Sequence, residues 1–130
     1  METALTPLLT LDLKKHRIRI HKQTLRLLNN PKYCQLLVNP ENQIIALQSQ
    51  ADKTPQSHRV SYSTPHGSDF YSKELIMQLQ IVNRNLISGK TYRIPGRVYP
   101  GRSIAVFHME KCTPIDDPLP LSSLFPEKTE

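Results

Sequence analysis

Polar and apolar residues alternate over residues 16–20, with Ile18 and Ile20 on one side and Arg17, Arg19 and His21 on the other, the period of two expected of a half-buried strand. Leu25 and Leu28 then change to helical spacing over residues 22–29. Asn29-Asn30-Pro31 ends that helix, because Asn tolerates a left-handed cap and Pro disfavours helix in the residue before it. Residues 33–38 and 44–48 are strand-like runs about the turn Asn39-Pro40-Glu41-Asn42, which predicts a hairpin. A polar connector follows over 49–57, then a short alternating strand over 58–63 and the loop Thr64-Pro65-His66-Gly67-Ser68. Ser72 stands where an N-cap belongs and Glu74 where the helix dipole favours an acid; Leu75, Ile76, Leu79, Val82 and Leu86 carry a helix to residue 83 or 85. Residues 91–97 and 103–109 flank Tyr99-Pro100-Gly101 as a second hairpin.

The two stretches share a pattern. Lys22 aligns with Lys73, Leu25 with Ile76 and Leu28 with Leu79 at an offset of 51; Tyr33 aligns with Tyr92, Ile45 with Ile104 and Ala46 with Ala105 at 59. Each half reads strand, helix, hairpin, with eight extra residues after the second helix. A unit of that size cannot bury its own apolar face, so two copies are expected to complete one core. The expected organisation is an N-terminal extension over 1–13, one domain over 14–113 built of repeats 14–50 and 58–113, and a tail over 114–130. Leu8, Leu9, Leu11 and Leu13 of the extension suit an added edge strand. The tail, with Pro114, Pro118, Pro120, Pro126 and four acids, is expected to be disordered beyond about Asp117.

Charge sharpens this picture. The chain has 130 residues, 38% hydrophobic, and a formal charge of +6. Between Leu13 and Met109, fifteen Lys and Arg face four acids, a local balance of +11. Residues 14–40 and 75–109 contain seven and five cations respectively and no carboxylate. Cations without paired anions usually face a polyanion, whereas the plainer reading is a solvated face or a charged edge strand that resists aggregation. The first cluster, Lys14, Lys15, Arg17, Arg19, Lys22 and Arg26, suits phosphate contacts. A second, Arg93, Arg97 and Arg102 with Tyr92 and Tyr99, suits duplex backbone or stacked bases.

Candidate chemistry is sparse. Cys34 and Cys112 form no CxxC and have no histidine at finger spacing; they read as apolar fillers rather than a disulfide, a metal site or a nucleophile. His16, His21, His58, His66 and His108 sit in no HExxH. Asp116-Asp117 belongs to a Pro-rich tail that would not hold carboxylates rigidly. No catalytic residue, metal site or cofactor is expected. No run has the length of a membrane span, and Met1-Glu2 lacks the positive charge of a secretory signal, so a cytoplasmic location is the default expectation.

The basic strand Arg17-Ile18-Arg19-Ile20-His21-Lys22, the helix with Leu25 and Leu28, and Ile44-Ile45-Ala46-Leu47 resemble the swapped-hairpin AbrB and MazE-type DNA-binding domain, with a weaker second copy over 70–107. The resemblance covers about residues 14–109. It implies an α+β fold in which two β-α-β-β repeats interleave into one pseudo-twofold barrel of six to seven short strands and two helices. It also implies a non-catalytic regulator of transcription whose basic strand grips duplex DNA, either as a monomeric pseudo-dimer or as a homodimer. The family often has Pro where this chain has His21, and Asp69-Phe70-Tyr71 replaces the basic strand in the second copy, so only the first half keeps the grip. The competing expectation is an interaction module, such as a phage-encoded inhibitor of a CRISPR nuclease, docking its basic surface on an acidic protein or ribonucleoprotein. RNA is a third possible ligand.

Overall fold

The computed structural model describes residues 6–115. Nine strands and two α-helices follow one another as β1 (Leu8–Asp12), β2 (Arg17–His21), α1 (Lys22–Leu27), β3 (Tyr33–Asn39), β4 (Ile44–Gln50), β5 (His58–Arg59), β6 (Gly67–Tyr71), α2 (Lys73–Val82), β7 (Thr91–Tyr99), β8 (Ile104–His108) and β9 (Thr113–Ile115). Every pairing is antiparallel, in the order β5-β3-β4-β8-β7-β1-β2-β6, with β9 added on β7. The result is a nearly closed α+β barrel. Its seam lies between β5 and β6, which share no ladder; the His58 ring stacks on Phe70 at 4.7 Å, and the Ser61 N–H donates to Ser68 Oγ at 2.9 Å.

Alternation puts one face of each strand into a common core: Leu9 and Leu11, Ile18 and Ile20, Ile45 and Leu47, Tyr92 and Ile94, Ala105 and Phe107. The helices close it with Leu25 and Leu28 from the first and Ile76 and Leu79 from the second. As expected, Asn29 and Asn30 are left-handed (φ 64° and 51°), and the Asn30 N–H bonds the Leu25 carbonyl at 2.8 Å. Ser72 caps α2 by accepting from the Leu75 N–H at 3.1 Å.

The N-terminal segment departs from expectation. Leu8–Asp12 is an interior strand between β2 and β7, and Leu9 and Leu11 are fully buried, so the core starts before residue 14. The buried Thr24 hydroxyl clamps helix α1 to it, accepting from the Leu8 N–H at 2.8 Å and donating to the Leu8 carbonyl at 3.0 Å. At the other end, residues 113–115 also pair in the sheet, and the disorder expected beyond Asp117 lies outside the described residues.

The pairs aligned at 59 do not share a face. Tyr33 points outward, half-buried, whereas Tyr92 is buried with its hydroxyl bonded to the Asn85 carbonyl; Ile45 is in the core, whereas Ile104 is outward. A period-two element inverts its faces on a one-residue slip, which sequence identity alone does not register.

Strand β7 serves two halves of the barrel. Residues 91–95 pair with β1, and residues 96–99 pair with β8. Gly96 sits at the changeover because the Phe107 ring occupies the space a Cβ would take, with the Val106 carbonyl oxygen 2.6 Å from that position.

Candidate nucleic-acid interface

Outward residues of β6, β2, β1, β7 and β9 form rows across the sheet. One row runs Asp69, Arg19, Thr10, Arg93, Thr113; the next runs Tyr71, Arg17, Asp12, Thr91, Ile115. With the β1–β2 turn, which carries Lys14 and Lys15, the β1, β2 and β7 members of these rows and Ile115 line a concavity of about 450 Å³. Its cations are Lys14, Lys15, Arg17, Arg19 and Arg93.

Counting charges along the chain did not place two carboxylates at the basic strand. Asp12 lies just before the acid-free segment, and Asp69 reaches Arg19 only because β6 pairs with β2. Asp12 receives Arg17 Nη2 at 3.0 Å and the Lys14 and Lys15 N–H groups at 3.0 Å each, which fixes the turn. Asp69 receives Arg19 Nε at 2.7 Å and Nη2 at 3.1 Å, with Arg17 Nη1 at 3.9 Å. The Arg19 hydrogen bonds hold the Asp69 carboxyl below its ordinary pKa, against the opposing effect of burial. The expectation of an unpaired basic strand is therefore corrected: Arg17 and Arg19 are engaged with the protein's own acids. Five cations line the concavity, and two carboxylates, Asp12 within it and Asp69 on the adjoining β6, pair with Arg17 and Arg19; among the described residues this leaves a balance of +3, carried by Lys14, Lys15 and Arg93.

His21 adds no charge at neutral pH. Burial, followed by the charges of Arg93 and Arg19, pushes its pKa down, and its Nε2 lies 2.6 Å from the Thr10 hydroxyl.

The remaining predicted residues fall elsewhere. Lys22 and Arg26 are exposed on α1 and do not line the concavity. Arg93 joins the first cluster rather than the second, because β7 changes partners at Pro95-Gly96. Arg97 and Arg102 lie past that bend, where Arg97 stacks over Tyr99 at 5.7 Å and Tyr99, Arg102, Ile104 and Val106 line a shallow depression. Another cleft, about 530 Å³, lies between the α2–β7 loop and the segment after β8, with Arg84, Lys90 and Glu110 among its lining residues.

Cys34 is buried and free, its thiol pushed up to about 12 by burial; Cys112 is also free. Among the described residues no three His, Cys, Asp or Glu side chains group as metal ligands, and no helix is long and apolar enough to cross a membrane. No family model, curated protein or solved structure matches this chain.

Proposed function

We propose that the protein is a non-catalytic nucleic-acid-binding module that grips duplex DNA in the concavity over β1, β2 and β7, as a transcriptional regulator of AbrB-like type. The observation that carries this reading is the convergence of Lys14, Lys15 and Arg93 from separate parts of the chain onto one surface with a net charge of +3. The two arginines held by carboxylates supply a rigid cationic floor, and the three cations that have no acid partner among the described residues supply the charge that displaces counterions.

We read the scaffold as two β-α-β-β units interleaved as a pseudo-twofold. Strand, helix and hairpin occur twice in order; β2 pairs antiparallel with β6 and β4 with β8, as a twofold requires, and β1 sits on β7 as β5 sits on β3. The face-consistent offset is 50 in the first strand (Ile20 onto Phe70), 51 in the helix (Leu25 onto Ile76) and 60 in the hairpin (Leu47 onto Phe107).

A salt titration tests the reading. Three displaced phosphate counterions predict a log-log affinity slope of about −2.7 on duplex DNA. Arg93→Glu should flatten that slope and remove binding at 0.15 M salt, while Arg97→Glu should leave both in place. A flat slope in the parent protein would sink the proposal. The competing reading, a phage-encoded inhibitor docking on an acidic protein or ribonucleoprotein, is favoured by one observation. On the outer face one row across β7, β8, β4 and β3 runs Arg97, Val106, Ala46, Leu37 and the next begins Tyr99, Ile104, with Leu37 and Tyr99 38% and 43% exposed. Pull-down from host lysate with and without nuclease separates the two, and competition with single-stranded RNA tests the RNA alternative.

A further inference from the structure

The half of the barrel built from β3, β4, β8 and the end of β7 presents a second outward surface, which the concavity does not use. Strands β3, β4, β5, β7 and β8 contain no carboxylate. One outward row runs Tyr99, Ile104, Gln48, Gln35, and Tyr33 lies two residues along β3 from its end. Each of these tyrosines carries a cation over its ring: Arg97 is 5.7 Å from the Tyr99 centroid, and Lys32 is 5.9 Å from that of Tyr33. Tyr99 remains 43% exposed, and with Arg102, Ile104 and Val106 it lines a depression in the face. Among the described residues, Arg97, Arg102 and Lys32 have no carboxylate within ion-pair distance. Three strand spacings and a two-residue step separate the two rings, about 16 Å along the sheet. That is roughly five nucleotides at the ~3.4 Å spacing of a stacked strand. A duplex keeps its base faces inside its own stack, so a single strand is the polyanion that offers planar rings to the tyrosines and phosphates to the cations together.

We propose that this face binds single-stranded nucleic acid: unpaired bases stack on Tyr99 and Tyr33, the amides of Gln48 and Gln35 meet base edges between them, and Arg97, Arg102 and Lys32 hold the phosphates. The site is separate from the concavity and does not rest on the duplex reading. Cutting a stacking ring back to Ala lowers affinity by about five- to 150-fold. Three phosphate contacts give a log-log salt slope of about −2.1 on a single strand.

The test measures binding of an oligonucleotide of about ten residues, as single-stranded DNA, as single-stranded RNA of the same sequence and as the DNA duplex, to the full chain and to Y99A, Y99F, R97Q and R93E. The inference holds if either single strand binds the parent, Y99A weakens that binding at least about fivefold, Y99F stays within about twofold and R93E retains it; the tighter of the two strands then identifies the source. A melting temperature of Y99A within about 2 °C of the parent separates lost stacking from lost fold. Should Y99A melt lower, R97Q decides the matter, with a salt slope flattened by about 0.7 expected and an unchanged slope overturning the site. The inference is also overturned if neither strand binds at about 0.05 M salt, which leaves the face to a protein partner, or if Y99A binds as tightly as the parent. Loss in R93E rather than in Y99A would place the strand in the concavity and overturn it too. Duplex binding without single-strand binding fails this inference alone, whereas single-strand binding without duplex binding fails the proposed function alone.

Discussion

Replacing Asp69 with Asn should weaken the fold and strengthen the grip on DNA. Asp69 takes two hydrogen bonds from Arg19, at 2.7 and 3.1 Å, and has Arg17 and His66 within 4 Å. The Asp69 and Arg19 side chains are 20% and 24% exposed, so the pair sits between a solvated surface bridge, worth at most about 1 kcal/mol, and a buried one whose disruption costs about 3–5 kcal/mol. Asn keeps one acceptor and loses the charge, which gives a loss of about 1.5–3 kcal/mol, the range of charge-assisted hydrogen bonds. For a domain of this size that lowers Tm by about 6–12 °C. The pH dependence fixes the cause. A carboxyl whose pKa is depressed in the folded state stabilises the fold above its unfolded value, near pH 4, and loses that contribution as pH falls through the folded value. The gap in Tm between parent and D69N, measured by circular dichroism, should be full at pH 7 and close progressively below about pH 4. The freed Arg19 should add up to about 0.9 to the salt slope on duplex DNA. A D69N protein that melts within about 1 °C of the parent at pH 7, or a gap that does not change down to pH 2.5, would refute the argument.

Three further outcomes follow from the packing. Leu11→Ala should cost about 2–5 kcal/mol in urea unfolding, because Leu11 is fully buried in an interior strand; a loss under about 1 kcal/mol would return residues 8–12 to the periphery. Gly96→Ala should destabilise the β7–β8 pairing by about 1–3 kcal/mol, since its Cβ would meet the Phe107 ring and the Val106 carbonyl oxygen; an unchanged urea midpoint would contradict that contact. His21 is held neutral by burial and by Arg93 and Arg19, so the unfolded chain takes up a proton first as pH falls below about 6.5, and stability declines toward pH 5.5. His58 shares that direction through burial, so His21→Gln should reduce the decline in Tm between pH 7.5 and 5.5 without abolishing it; an undiminished decline would exclude His21.

Local signals were legible in the sequence because they act over a few residues. Ser72 caps its helix, Asn29 and Asn30 take the left-handed turn, and the hairpin about residues 39–43 forms where Pro and Asn place it. What escaped depends on partners distant in the chain. Leu8 beside Leu9 masks the alternation of β1, and nothing local to residues 8–12 announces β7 as their neighbour. Counting acids along residues 14–40 passes over Asp12 by two positions and Asp69 by far more, yet the β1–β2 and β2–β6 registers set them next to Arg17 and Arg19. The same long-range pairing detached Arg93 from Arg97 and Arg102 and gave it to the lysine-bearing turn. Candidate cations were thus readable as residue types, while their grouping and their pairing required the sheet.

The central position of β1 has a cost during synthesis. Leu9 pairs with Ile94, so during synthesis β1 cannot find its neighbour on that side until β7 has been made. Contacts of such sequence separation demand loop closure before they return any stabilisation, which slows folding and exposes apolar segments meanwhile. Leu8, Leu9, Leu11 and Leu13 of the nascent polypeptide are therefore a natural holding site for chaperones, and refolding from denaturant should be limited by docking of the N-terminal strand rather than by either hairpin.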